Sequence, residues 1–145
     1  MKDFSLTPEA LQELMEIAEE ACLDARLLLE RGSPNGAMNR AYYAMFDAAL
    51  AVLLASGAPP DIGKSHTGMT KYFTKFIYDT RPEHKDLGSQ LRKAFNARCL
   101  ADYGRAKVSV DAARSLVEEA DKFVDILRIE FFPGNDEGDD DFGPK

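Results

Sequence analysis

Six alanines, Ala37, Ala41, Ala44, Ala48, Ala51 and Ala55, recur at 4-3-4-3-4 spacing in one stretch of the chain. In an α-helix this rhythm aligns them as one narrow stripe of small side chains. Tyr42, Phe46, Ala49, Leu50 and Leu53 make a bulky apolar stripe on the opposite side. A helix that is apolar on two faces has to be sandwiched between others and cannot lie on a surface. The small stripe admits a very close neighbour, which is either the first helix of the same chain or a second copy of it.

The rest of the 145 residues carries the same helical period. Thr7-Pro8 is a capping pair that opens a first helix, with Leu11, Leu14, Met15, Ala18, Cys22, Ala25 and Leu29 as its apolar line, ending near Arg31-Gly32. Ser33-Pro34 opens the alanine-rich second helix, which runs to about Ser56-Gly57. After a Pro- and Gly-containing loop, a third helix begins near Ser65 and breaks around Thr80-Arg81-Pro82. A fourth is predicted over about 83–103 and a fifth over about 105–131. No segment of useful length alternates with period 2. The fold class is therefore all-α, an up-down bundle of four to five helices spanning residues 1–132. Residues 133–145 hold five acids and few apolar groups, which predicts an acidic disordered tail.

The net charge of −7 conceals a reversal along the chain. Residues 1–30 carry eight acids and two bases, whereas residues 31–107 carry twelve bases and six acids. This is either ordinary variation between solvated helix faces or a basic surface suited to phosphate. No apolar run reaches membrane-spanning length, so no membrane role is expected. The opening residues lack a basic start followed by an apolar stretch, so no signal peptide is expected either. Two cysteines, Cys22 and Cys99, make no disulfide framework and read as reduced core residues of a cytoplasmic protein.

Charged groups interrupt the apolar lines of two helices. At about 100° per residue, Leu87, Leu91, Ala94 and Phe95 define the core face of the fourth helix, and Arg98 and Asp102 fall at its centre. Ionised groups there must be paired or open to a cleft, and at i, i+4 these two can reach each other. On the second helix, Arg40, Tyr43 and Asp47 border the bulky stripe and Asn39 lies on it. With Tyr103, each helix offers an Arg, an Asp and a Tyr near core-facing positions. These groups either form an internal network that fixes helix register or line a cleft for a phosphate or nucleotide.

Other motifs exclude more than they assign. Ala58 to Ser65 fits the loose phosphate-loop pattern Ala/Gly-x4-Gly-Lys-Ser/Thr. That mechanism needs a preceding strand and wrapping N–H groups, whereas here a helix precedes and Pro59 and Pro60 carry no N–H. Gly63 reads instead as a turn and Ser65 as the cap of the third helix, with Lys64 and His66 at a positive helix end able to hold an anion. The two histidines, His66 and His84, are 18 residues apart without metal-site spacing, so no metal site and no cofactor is expected.

The segments Asn39-Arg40-Ala41-Tyr42-Tyr43-Ala44-Met45-Phe46, Gly63-Lys64-Ser65-His66-Thr67-Gly68 and Arg98-Cys99-Leu100-Ala101-Asp102-Tyr103 resemble the HEPN family (higher eukaryotes and prokaryotes nucleotide-binding) over roughly residues 8–130. The resemblance implies an all-α bundle that often forms a homodimer. Many members are encoded beside a small nucleotidyltransferase as a toxin–antitoxin-type pair. Ribonuclease members carry Arg-x4–6-His on a late helix and cleave RNA without metal between two copies. Arg98 matches that Arg, but the positions where the His would stand hold Tyr103, Gly104 and Arg105. Tyr titrates near 10, so a general acid or base working near neutrality is missing from this segment. His66 is the histidine that could approach from elsewhere, and Tyr103 is a candidate acceptor for adenylylation. The resulting expectation is a HEPN protein that binds a nucleotide, an RNA phosphate or a partner nucleotidyltransferase through Arg40, Tyr43, Asp47, Lys64, His66, Arg98, Asp102 and Tyr103. The alternatives are a metal-independent endoribonuclease toxin using Arg98 and His66, and a non-enzymatic helical assembly protein.

Overall fold

The computed structural model describes residues 6–104 and 107–134. The predicted acidic tail, from residue 135 onward, lies outside the described residues. Five helices follow in order: α1 (Pro8–Glu30), α2 (Pro34–Ala55), α3 (His66–Thr80), α4 (Leu87–Tyr103) and α5 (Val110–Phe131). No strand occurs among the described residues.

Capping side chains set three of the starts. Thr7 accepts from the Ala10 N–H at 3.0 Å, Ser65 from Gly68 at 2.9 Å and Ser109 from Ala112 at 3.0 Å. The last of these begins α5 at Val110, later than the expected 105. α4 likewise begins at Leu87 and not near 83, because Pro82–His84 forms a separate 3-10 turn. The chain reverses after α1 and after α2 through Gly32 (φ 85°) and Gly57 (φ 94°), conformations that favour glycine. Gly63 has no such φ. It matters for its lack of a side chain, since a Cβ there would come within 3.1 Å of Leu50.

α2 is the central helix. Its most extensive neighbour is α1, followed by α5 and α4. Five of the six stripe alanines are inaccessible to solvent and only the last, Ala55, is exposed. The stripe is thus filled within one chain, which leaves it unable to serve as the interface with a second copy. On α1, Met15, Ala18 and Ala25 are also fully buried. Small residues on both helices let their backbones approach closely, and the contact excludes water along their length.

α3 packs mainly on α4. They pack tightly at Gly88, where a Cβ would sit 2.3 Å from Thr74 Oγ1. Phe73 and Phe76 of α3 meet Phe123 and Phe131 of α5 in tilted contacts, at 5.7 Å between ring centres in both pairs. At the start of α3, His66 meets the bulky side of α2 through Tyr42 and Phe46.

Candidate functional site

Arg98 sits where the helical period put it, on the inner side of α4, with its residue 7% exposed. Its guanidinium lies over three rings: Tyr42 at 5.3 Å, Tyr43 at 5.5 Å and Phe95 at 5.3 Å from their centres. Such a cage gives a desolvated cation favourable electrostatics that water would otherwise supply. Nη1 donates to Asp102 Oδ2 at 3.1 Å, while the buried Nε finds no hydrogen-bond partner among the described residues. Burial works against the charge. The bond to Asp102, together with Tyr43 and Tyr103, outweighs it and holds the Arg98 pKa above its ordinary value.

The carboxylate of Asp102 links two helices. It also accepts from Asn39 Nδ2 at 3.3 Å, and Asn39 Oδ1 in turn accepts from Arg40 Nε and Nη2, each at 3.3 Å. Arg40 itself stands over the Tyr43 ring at 5.5 Å. Four polar side chains therefore join α2 to α4 in one line, Arg40–Asn39–Asp102–Arg98.

His66 joins from the third direction. Its Nδ1 is 2.5 Å from the Tyr42 hydroxyl. Its ring stacks on Phe46 at 4.5 Å and on Tyr42 at 5.7 Å, and meets Phe95 at 5.5 Å. Burial, with the Arg98 charge adding to it, lowers the His66 pKa, so the imidazole is neutral near pH 7. Burial raises the Tyr42 pKa in the same cluster, so its hydroxyl keeps its proton. If Tyr42 donates to Nδ1, the imidazole proton resides on Nε2 and His66 presents a donor. If Tyr42 accepts, Nε2 is bare and His66 presents a base.

The remaining candidates stand further out. Asp47 is half-buried one turn beyond this network, and desolvation lifts its pKa to about 6 against the pull of Arg40. Lys64 is exposed and makes no ion pair among the described residues. Tyr103, counted near the core from its position, is 73% exposed, because five residues on from Arg98 the helix has turned it about 140° away from the inner face. Asp102 lies at the rim, its side chain 27% exposed against 9% for Arg98. Cys22 is buried, which pushes its thiol up to about 11, and Cys99 is half-buried, so only the first is a core residue. Tyr42, Phe46 and Phe95 read as ordinary core in the sequence, yet they form the walls around Arg98 and His66. The signal was present in the Tyr-Tyr pair and in Phe95 being three residues before Arg98.

A separate group, Glu83, His84 and Glu130, brings potential metal-ligand atoms within 4.8 Å of one another. Glu130 is already held by Arg81 at 2.8 Å, so that carboxylate has a cation and a metal would have to displace it.

Residues 11–130 match the family model of the HEPN domain, and that span contains every helix contributing to this cluster. The chain belongs to the HEPN family. Among its HEPN relatives, the protein named "Putative toxin MJ0605" of Methanocaldococcus jannaschii is 36% identical over 120 residues, covering 83% of this chain and 87% of the relative. A UPF0332 protein of Archaeoglobus fulgidus is 39% identical over 111 residues, covering 74% and 83%. Another, of Thermotoga maritima, is 31% identical over 111 residues, covering 76% and 82%. No helix among the described residues is long and apolar enough to cross a membrane.

Proposed function

We propose that this HEPN protein binds a phosphate of a nucleotide or RNA at Arg98 and His66, as the toxin-type half of a module paired with a small nucleotidyltransferase. The observation that carries the reading is Arg98 itself. A guanidinium this deeply buried, with an unpartnered Nε and a single carboxylate at the rim, is equipped for an anion beyond what register alone requires. Asp102 holds the fork in place and gives way when a phosphate enters. With Tyr42 donating to Nδ1, the Nε2–H of His66 supplies a second donor. Pairing with a nucleotidyltransferase and assembly as a homodimer are extensions of the family resemblance. The alanine stripe, being filled, does not support the dimer.

One observation favours a second reading, metal-independent RNA cleavage. His66 lies in the same ring cage as Arg98 although it is absent from the segment following Arg98. In that reading Nε2 is bare and accepts the proton of a ribose 2′-hydroxyl. The 2′-oxygen attacks phosphorus, the bond to the 5′-oxygen breaks with a proton from water, and Arg98 offsets the charge on the phosphoryl oxygens.

The test is binding of AMP and of a short oligoribonucleotide, with product analysis in EDTA. Arg98→Lys keeps the charge but loses the fork, and is expected to weaken both ligands about tenfold or more. Unchanged affinity for both would overturn the proposal. Cleavage in EDTA that is lost in His66→Ala would replace the binding reading with the second.

A further inference from the structure

A groove of about 730 Å³ runs between α3 and α4, and Arg98 is not among the residues that line it. Gly88 of α4 lies close against Thr74 of α3, and Thr74 also forms part of the groove wall. Its rim carries Lys71, Lys75, Lys85 and Arg92 against one acid, Asp79. Asp79 is taken by Lys75 at 2.9 Å. Lys71, Lys85 and Arg92 are exposed and make no ion pair among the described residues. Three like charges around one concavity repel one another, and an anionic occupant would relieve that repulsion.

Two aromatic side chains line the same groove. Tyr78 stands at one end, 62% exposed, a state that an aromatic ring adopts at a cost in water. Phe95 is shared: it lines the groove and also touches His66 and the Arg98 guanidinium. One ring therefore stands between the groove and the Arg98–His66 cluster. From His66 to Tyr78, α3 rises about 18 Å at 1.5 Å per residue, which matches about five stacked nucleotides at 3.4 Å each.

We infer that the α3–α4 groove holds a single strand of RNA running away from the phosphate bound at Arg98, with its backbone on Lys71, Lys85 and Arg92 and a base on Tyr78. Cations tracking a backbone, with aromatic faces for bases, are what single-strand binding requires. An acidic peptide would satisfy the cations but leave Tyr78 uncovered. The inference rests on the phosphate reading of Arg98 and extends it from one phosphate to a strand.

The experiment measures affinity of the full chain for fluorescent AMP and for an oligoadenylate of about 12 nucleotides, across salt concentrations. Lys71→Glu/Arg92→Glu is expected to weaken the oligomer about tenfold or more and leave AMP unchanged. The neutral variant Lys71→Gln/Arg92→Gln is expected to make the salt slope shallower by about 1.4, at 0.7 per lost contact. Tyr78→Ala is expected to weaken the oligomer with no change in salt slope. Oligomer binding unaltered by both double variants, beside weakening by Arg98→Lys, overturns the groove and keeps the phosphate reading of Arg98. Weakening by the groove variants beside an inert Arg98→Lys overturns the phosphate reading of Arg98. Competition by an acidic peptide as strong as by the oligomer overturns the assignment to RNA.

Discussion

Where α2 meets α1 the contact is built of small apolar side chains, and where it meets α4 and the start of α3 it is built of rings around charge. α1 carries seven acids and one base, and its ion pairs reach α5 through Arg26 with Asp121 and Glu19 with Arg128. Residues 66–103 carry seven Lys and Arg against four acids, and one of those cations is buried. The first contact meets its requirements by close packing alone. The second retains an Arg98 Nε without a partner among the described residues, which packing does not explain. If the proposed binding reading holds, stability and ligand recognition occupy opposite sides of one helix, so substitutions should separate them.

The largest separation is expected from Ala18→Leu. Ala18 is fully buried on α1, and the added carbons have no space, so unfolding in urea should show a loss of about 3 kcal/mol. Binding of AMP by the folded fraction should be retained. Gly88→Ala acts on the other side. The new methyl meets Thr74, and a gain in helix propensity offsets part of the strain, for a net loss of about 1 kcal/mol. Because it moves α3 off α4, it should also weaken oligoribonucleotide binding, which Ala18→Leu should not do.

Asp47 predicts a gain. Its folded pKa, about 6, lies above its ordinary 3.8, so the folded state holds more protons between those values and stability falls as pH rises through that window. Asp47→Asn should remove that fall and add about 1 kcal/mol at pH 7, discounted for the half-buried position, as read by urea midpoints at pH 4 and pH 7. His66 has the opposite sign. Its lowered pKa means the unfolded state gains a proton first on acidification, so the His66 contribution is present above about 6.5 and lost below it. Arg26→Ala, at an exposed pair, should change stability by no more than about 0.5 kcal/mol and leave binding untouched.

Much of this division was legible in the sequence. The 4-3-4 alanine rhythm required a sandwiched α2, and the 100° wheel put Arg98 inward. The onset of α4 was misplaced because Pro82 starts a 3-10 turn that a helical period does not distinguish from a helix. The onset of α5 was misplaced because the cap at Ser109 was passed over. Tyr103 was placed with the inner groups for its nearness in sequence to Asp102, although the wheel turns it about 140° away from Arg98. His66 could not be located from its own segment. Its seat beside Tyr42 depends on the path of the loop after α2 and on Gly63 fitting against Leu50, neither of which has a periodic signature.

The most direct measurement is nuclear magnetic resonance of the Arg98 Nε–H and the His66 ring nitrogens during titration with AMP. The account predicts a shielded, slowly exchanging Arg98 Nε–H in the free protein, an Nε2–H tautomer at His66, and shifts of both that saturate together as ligand binds. An Arg98 Nε–H that exchanges as fast as that of a solvated arginine, with neither residue responding to AMP, would contradict it.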